Sequence, residues 1–280
     1  MLTARSSQSV GYNKFVNGLQ RRSTGVLLLI LLCSGAIACQ SSEQTPTTVP
    51  MTTSMLPAEP STTAASLSTS TPMPLICDLP LPSPQDWPLL ICDTFNSDKS
   101  VFPDESQDNP YAIYTAATLE GKYEVDYSAK NFAAYSRTVF TWFDIAAAED
   151  FAVSITGQID TSFQDVSWGI GFRGNENKES FFLFSIFNDG TYAFEIYEND
   201  GWVPLISRRP SSSILLDQPN TVTVIAEGMN FRFLINGDSV NFFNGGLLEG
   251  TEIFLLVSAR EGAKASFTFD DVVVQARAAG

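Results

Sequence analysis

The run SFFLFSIFNDGTYAFEIYENDGW, Ser180 to Trp202, leaves few folds open to this chain. Two apolar-rich segments flank Asn188-Asp189-Gly190, and the second alternates. At period two, Tyr192, Phe194 and Ile196 fall on one face, and Ala193, Glu195 and Tyr197 on the other. A helix would spread these residues around its circumference. Asn, Asp and Gly tolerate the positive φ of a tight turn, so the two segments read as a hairpin. A second turn at Asn199-Asp200-Gly201 leads into WVPLI.

The same grammar covers most of residues 76–280. WGIGFRG alternates large and small residues, and KYEVDYS, YSRTVFTWF and DFAVSITGQI read as strands. TVTVIAEGMNFRFLINGDSVNFF gives three strands around turns at Glu227-Gly228 and Asn236-Gly237. In it Val222, Val224, Phe231, Phe233 and Ile235 face inward. TEIFLLVSAR and ASFTFDDVVVQA close the chain as two buried strands. The 21 Phe residues favour strands over helices. No stretch sustains a helical period. The expected fold class is all-β: a two-sheet antiparallel sandwich, or jelly roll.

Upstream of this domain the chain changes character. Val26 to Ala38 is apolar or small, and Arg21-Arg22 stand just before it. That core is too short for a bilayer, which needs about 20 residues. It has the length of a signal-peptide core. Ala36-Ile37-Ala38-Cys39 resembles the bacterial lipobox, with Ala36 where the commonest form has Leu. Residues 1–38 are therefore expected to be a lipoprotein signal peptide, with Cys39 the lipidated new N-terminus. Two or more acyl chains make such an anchor stable. Residues 39–75 are mostly Ser, Thr and Pro, with Glu43 and Glu59 the only charges. A segment with so little to bury is expected to remain a disordered tether. The expected location is extracytoplasmic, lipid-anchored to a bacterial membrane.

Charge and composition exclude several functions. The net charge is −15, and the charges before Cys39 are all basic, so the mature body is more acidic still. Such a body repels phosphate backbones, and nucleic acid is not an expected partner. There is no His, which removes imidazole bases, His-containing triads and His-ligated zinc. Of the four Cys, Cys33 lies in the signal peptide and Cys39 is the lipid site. Cys77 and Cys92 remain. Outside the cytoplasm they are expected to form a disulfide. Closing a loop of about 15 residues gains roughly 3 kcal/mol in the entropy model.

The segments DTFNSD, WGIGFR, SFFLFSIFNDGTYAFEIYENDGWVPL, FRFLINGDSV and ASFTFDDVVV together resemble the concanavalin A-like lectin/glucanase jelly rolls. The nearest likeness is to laminin-G-like and 3-keto-disaccharide-hydrolase-type domains. The resemblance implies two stacked sheets, one of them concave, with a face that handles carbohydrate in relatives. It also implies a structural calcium ion, for which Asp93, Asp270 and Asp271 are the candidates. The laminarinase-type motif E-x-D-x-x-E is absent: Gln158-Ile159-Asp160 retains only its middle acid. Retaining hydrolysis needs two carboxyls about 5–5.5 Å apart. Glu149-Asp150 and Asp270-Asp271 are adjacent pairs, expected to point to opposite faces. The chain is therefore expected not to be an enzyme. Candidate sugar contacts are Arg173, Glu195 and Tyr197, expected to share one face, with Trp142 and Trp202 as stacking platforms. Trp168 shares the parity of Ile170 and is expected in the core. The expected role is non-catalytic binding of a glycan or another surface polymer. The alternatives are a scaffold that binds a cell-surface protein, or a degenerate carbohydrate-active enzyme.

Overall fold

The computed structural model describes residues 79–80, 82, 87–96, 100–130, 134–140, 150–175, 180–199, 201–246, 248 and 250–277. Cys39, the tether, Cys77 and Trp142 lie outside them. The described strands are β1 (Leu89–Asp93), β2 (Glu105–Asp108), β3 (Ala112–Leu119), β4 (Lys122–Ala129) and β5 (Ala134–Phe140). Then follow β6 (Asp150–Asp160), β7 (Ser167–Asn175), β8 (Ser180–Phe187), β9 (Thr191–Glu198) and β10 (Gly201–Pro210). The last are β11 (Asn220–Glu227), β12 (Asn230–Ile235), β13 (Asp238–Asn244), β14 (Glu252–Ala259) and β15 (Lys264–Ala276). No helix occurs among the described residues.

The strands form two antiparallel sheets, as the alternation predicts. The larger runs β13-β12-β11-β6-β15-β4-β3-β2, with β1 also paired to β15. The smaller runs β10-β9-β8-β7-β14-β5. The first and last strands meet, with Asp93 opposite Val272. One edge of β15 is shared: β4 pairs with Lys264–Phe269 and β1 with Val272–Gln275. Its other edge is taken by β6.

Local chemistry explains the turns. Asn236 and Gly237 have φ of 53° and 84°, the left-handed pair that a two-residue hairpin requires. The Asn236 side chain also ties down the neighbouring loop. Its Oδ1 accepts the Thr221 N–H at 2.8 Å, and its Nδ2 donates to the Ser213 carbonyl at 2.8 Å. Asp93 ends β1. Its two carboxylate oxygens accept the N–H groups of Phe95 (2.8 Å) and Val101 (2.7 Å), which turns the chain out of the sheet.

Between the sheets lies an aromatic core. Phe194 sits at its centre, with ring centroids 4.6 Å from Phe233 and 6.0 Å from Phe172, the latter nearly parallel. Phe184 stacks on Phe233 at 4.4 Å. Val222, Val224, Phe231, Phe233 and Ile235 are all fully buried, on the face expected for them. Trp168 is buried too, meeting Phe269 edge-on at 5.3 Å. A smaller apolar cluster lies on the outer face of the larger sheet, where Trp87 packs with Ala152, Ile225 and Leu234. The Gln275 amide, donating to the Trp87 carbonyl at 3.1 Å, holds it there.

Candidate functional site

Register fixes which side chains share the outer face of the smaller sheet. Phe194 faces the core, so its neighbour Glu195 faces out, and Tyr197 with it. Opposite Tyr197 stand Phe181 on β8 and Trp202 on β10. Opposite Glu195 stand Leu183 and Pro204. Glu195, Tyr197 and Trp202 therefore share one face, as the alternation predicts for the first two.

The three differ in depth. Tyr197 and Phe181 are buried, each about 2% exposed, and Trp202 is only partly buried. Trp202 rests on both: its ring is 5.1 Å from Tyr197 and 5.5 Å from Phe181. Phe254, on β14, meets Phe181 at 4.9 Å and extends the aromatic bed inward. Its ring lies across Gly171, where a side chain would collide with it. Tyr197, expected as a ligand contact, is thus a support for the Trp202 ring. The middle of this face is covered as well, since Leu183, Ser185, Ala193, Phe254 and Leu256 are all buried. The accessible part of the site is the β9–β10 rim.

Glu195 on that rim is half-buried. Burial pushes its carboxyl above the ordinary value, and Arg208 pulls it partly back. Arg208 itself is held by several partners. Its Nη1 and Nη2 meet Asp165 and Asp189 at 2.7 Å each, and its Nε donates to the Thr191 hydroxyl at 2.6 Å. Its guanidinium lies 3.8 Å over the Phe187 ring. Asp165 also pairs with Arg260 at 2.8 Å. Sequence reading missed Arg208 and its two acids. They come from separate loops and strand ends, and no spacing in the chain announces them.

Arg173 does not join this face. A bulge falls between Phe172 and Asn175, and Arg173 has φ of 52°, which breaks the alternation used to place it. Its guanidinium turns towards the larger sheet, donating to the Gly228 carbonyl and lying 5.1 Å over Phe231. It is buried and links the two sheets. Trp142 lies outside the described residues. So does Cys77; its expected partner Cys92, on β1, is not a free thiol.

The three acids considered for calcium do not converge. Asp93 lies beside core-facing Val272, and both its oxygens are held by backbone N–H groups. A second bulge, between Phe269 and Asp271, also overturns the expected opposite facing of Asp270 and Asp271. Phe269 and Val272 both face the core, so the two acids between them both point away from it. Burial, and then the Asp270 charge, raise the Asp271 carboxyl above its ordinary value. Among the described residues no three acidic or thiol groups are placed to hold a metal ion.

No protein-family model matches the chain, and no curated protein matches it. Solved structures do. The GlcNAcα1-4Gal-releasing endo-β-galactosidase from Clostridium perfringens is 11% identical, with a TM-score of 0.51, over 70% of this chain and 64% of that one. The carbohydrate-binding module CBM66 from Bacillus subtilis is 16% identical, with a TM-score of 0.41, over 62% of this chain and 99% of that one. The laminarinase catalytic domain from Thermotoga petrophila RKU-1 is 9% identical, with a TM-score of 0.47, over 68% and 97%. At such identities the likeness is one of fold. The described domain is an antiparallel two-sheet β-sandwich, and its fold is similar to that of the Clostridium perfringens endo-β-galactosidase.

Proposed function

We propose that this protein displays a non-catalytic sandwich at a bacterial surface and binds a glycan at the β9–β10 rim. The observation that supports this reading is the pairing on one face of a partly exposed Trp202, seated on Tyr197 and Phe181, with the half-buried carboxylate of Glu195. An indole offers a flat apolar surface to a sugar ring, and a carboxylate accepts from its hydroxyls. Hydrolysis with retention needs a second carboxyl within about 5.5 Å of the first. Across the strands Glu195 stands opposite Leu183 and Pro204, neither of which carries a carboxyl.

A glycan array probed with the soluble domain tests the reading, followed by titration with the best-bound oligosaccharide. Trp202→Ala removes an aromatic anchor, expected to cost about 2 kcal/mol, or roughly thirtyfold in Kd. A blank array, or equal affinity in the variant, overturns the proposal. Release of reducing ends from the bound glycan overturns its non-catalytic part.

The surface display rests on Cys39. In a bacterial host, labelled palmitate is expected to enter the full chain and to be lost from a Cys39→Ser variant. Label that persists in the variant defeats the anchor.

A further inference from the structure

The rim has an unusual electrostatic arrangement. The Glu195 carboxylate makes no hydrogen bond or ion pair among the described residues, although it is half-buried. A carboxylate so placed loses hydration and gains nothing direct in return. The nearby cation offsets this only in part. Arg208 directs three of its N–H donors to Asp165, Asp189 and Thr191 and its flat face to Phe187. Directly across from Glu195 stands the exposed Pro204, and one rung along the same face is the partly buried Trp202 indole, whose π-face also favours positive charge. By strand geometry, Glu195 and the Tyr197–Trp202 rung are about 7 Å apart along the face. One sugar residue spans that distance. The whole protein adds a long-range field of the same sign, with a net charge of −15 and no His.

We infer that the rim selects a glycan carrying a free ammonium group, an amino sugar whose cation meets Glu195 while its ring lies on Trp202. This rests on the glycan-binding reading and narrows it. An N-acylated sugar offers Glu195 only an amide and hydroxyls, and a sulfated or uronic glycan meets repulsion.

Matched oligosaccharides separate the inference from the reading beneath it. Glucosamine oligomers and N-acetylglucosamine oligomers of equal length share a backbone and differ in the amine. In calorimetric titration of the soluble domain, below the pKa of the amine, the free-amine oligomer is expected to bind at least tenfold more tightly. Salt is expected to weaken that oligomer and leave the acetylated one nearly unchanged. Glu195→Gln keeps the shape and removes the charge, and is expected to bring the two affinities together. Asp160→Asn, an exposed acid on the larger sheet, controls for general acidity and is expected to keep the preference. Melting curves of both variants report that they fold.

Equal affinities for the two oligomers in the unaltered domain overturn the inference and leave the glycan reading standing. A preference that survives Glu195→Gln, or that Asp160→Asn abolishes, overturns it as well. Binding of neither oligomer, together with a blank array, overturns both.

Discussion

Phe194→Ala is expected to lower the unfolding free energy by about 3–5 kcal/mol, the range for truncating a buried Phe. The ring is fully buried between the two sheets. It touches Phe172 and Phe182 on its own sheet and Phe231, Phe233 and Phe243 on the other. Those neighbours lie on β7, β8, β12 and β13, each held by its own pairing, which limits how far they can move in to fill the gap. For a domain of this size each kcal/mol lowers Tm by about 2–4 °C. Urea denaturation and a thermal melt measure both quantities. Phe242→Ala on β13 is the control: Phe242 is 57% exposed, and its loss is expected to cost no more than about 0.5 kcal/mol. Equal costs for the two variants would mean that the inward and outward faces are assigned wrongly.

Gly250→Ala is expected to destabilise by about 1–3 kcal/mol or more, the range for forcing extra volume into a packed site. A Cβ there would fall 2.2 Å from the carbonyl oxygens of both Arg173 and Gly174. These are backbone atoms, so no rotamer change relieves the collision. The end of β7 is also held in place, because Arg173 is buried and its guanidinium is bonded to the β11–β12 turn. Gly228, in that turn, makes the useful contrast. It has φ of 56° and nothing within 4 Å of an added Cβ. Gly228→Ala therefore bears only the left-handed backbone penalty, about 1 kcal/mol. Denaturant midpoints of the two variants should fall in that order, and the reverse order would remove the steric argument.

These expectations show what alternation can and cannot read. The hairpins were legible because two signals coincide: period-two apolar residues and turn residues that accept positive φ. The faces of Phe194, Glu195 and Tyr197 followed at once. Alternation failed where a bulge adds one residue. Arg173 was assigned to the outer face by counting from Phe172, and Asp270 and Asp271 were assigned to opposite faces by the same count. Each lies beside a register shift that depends on the partner strand. β2 and β3 went unread for another reason. ESQD is short and polar, and AIYTAATL carries Ala and Thr where the other strands carry Phe. At the rim, Trp202 and Glu195 were legible as residue types. The burial of Tyr197 and the engagement of Arg208 were not, because both depend on residues far away in the chain.

The position of β15 has a consequence for how the protein is made. The final strand stands in the interior of the larger sheet, bordered by β6 on one side and by β4 and β1 on the other. As the ribosome elongates the chain, those three strands wait for a neighbour that is translated after all of them. Their long-range pairings must then form late, a topology that folds slowly. The domain therefore cannot be completed until β15 has been made, however early its hairpins form.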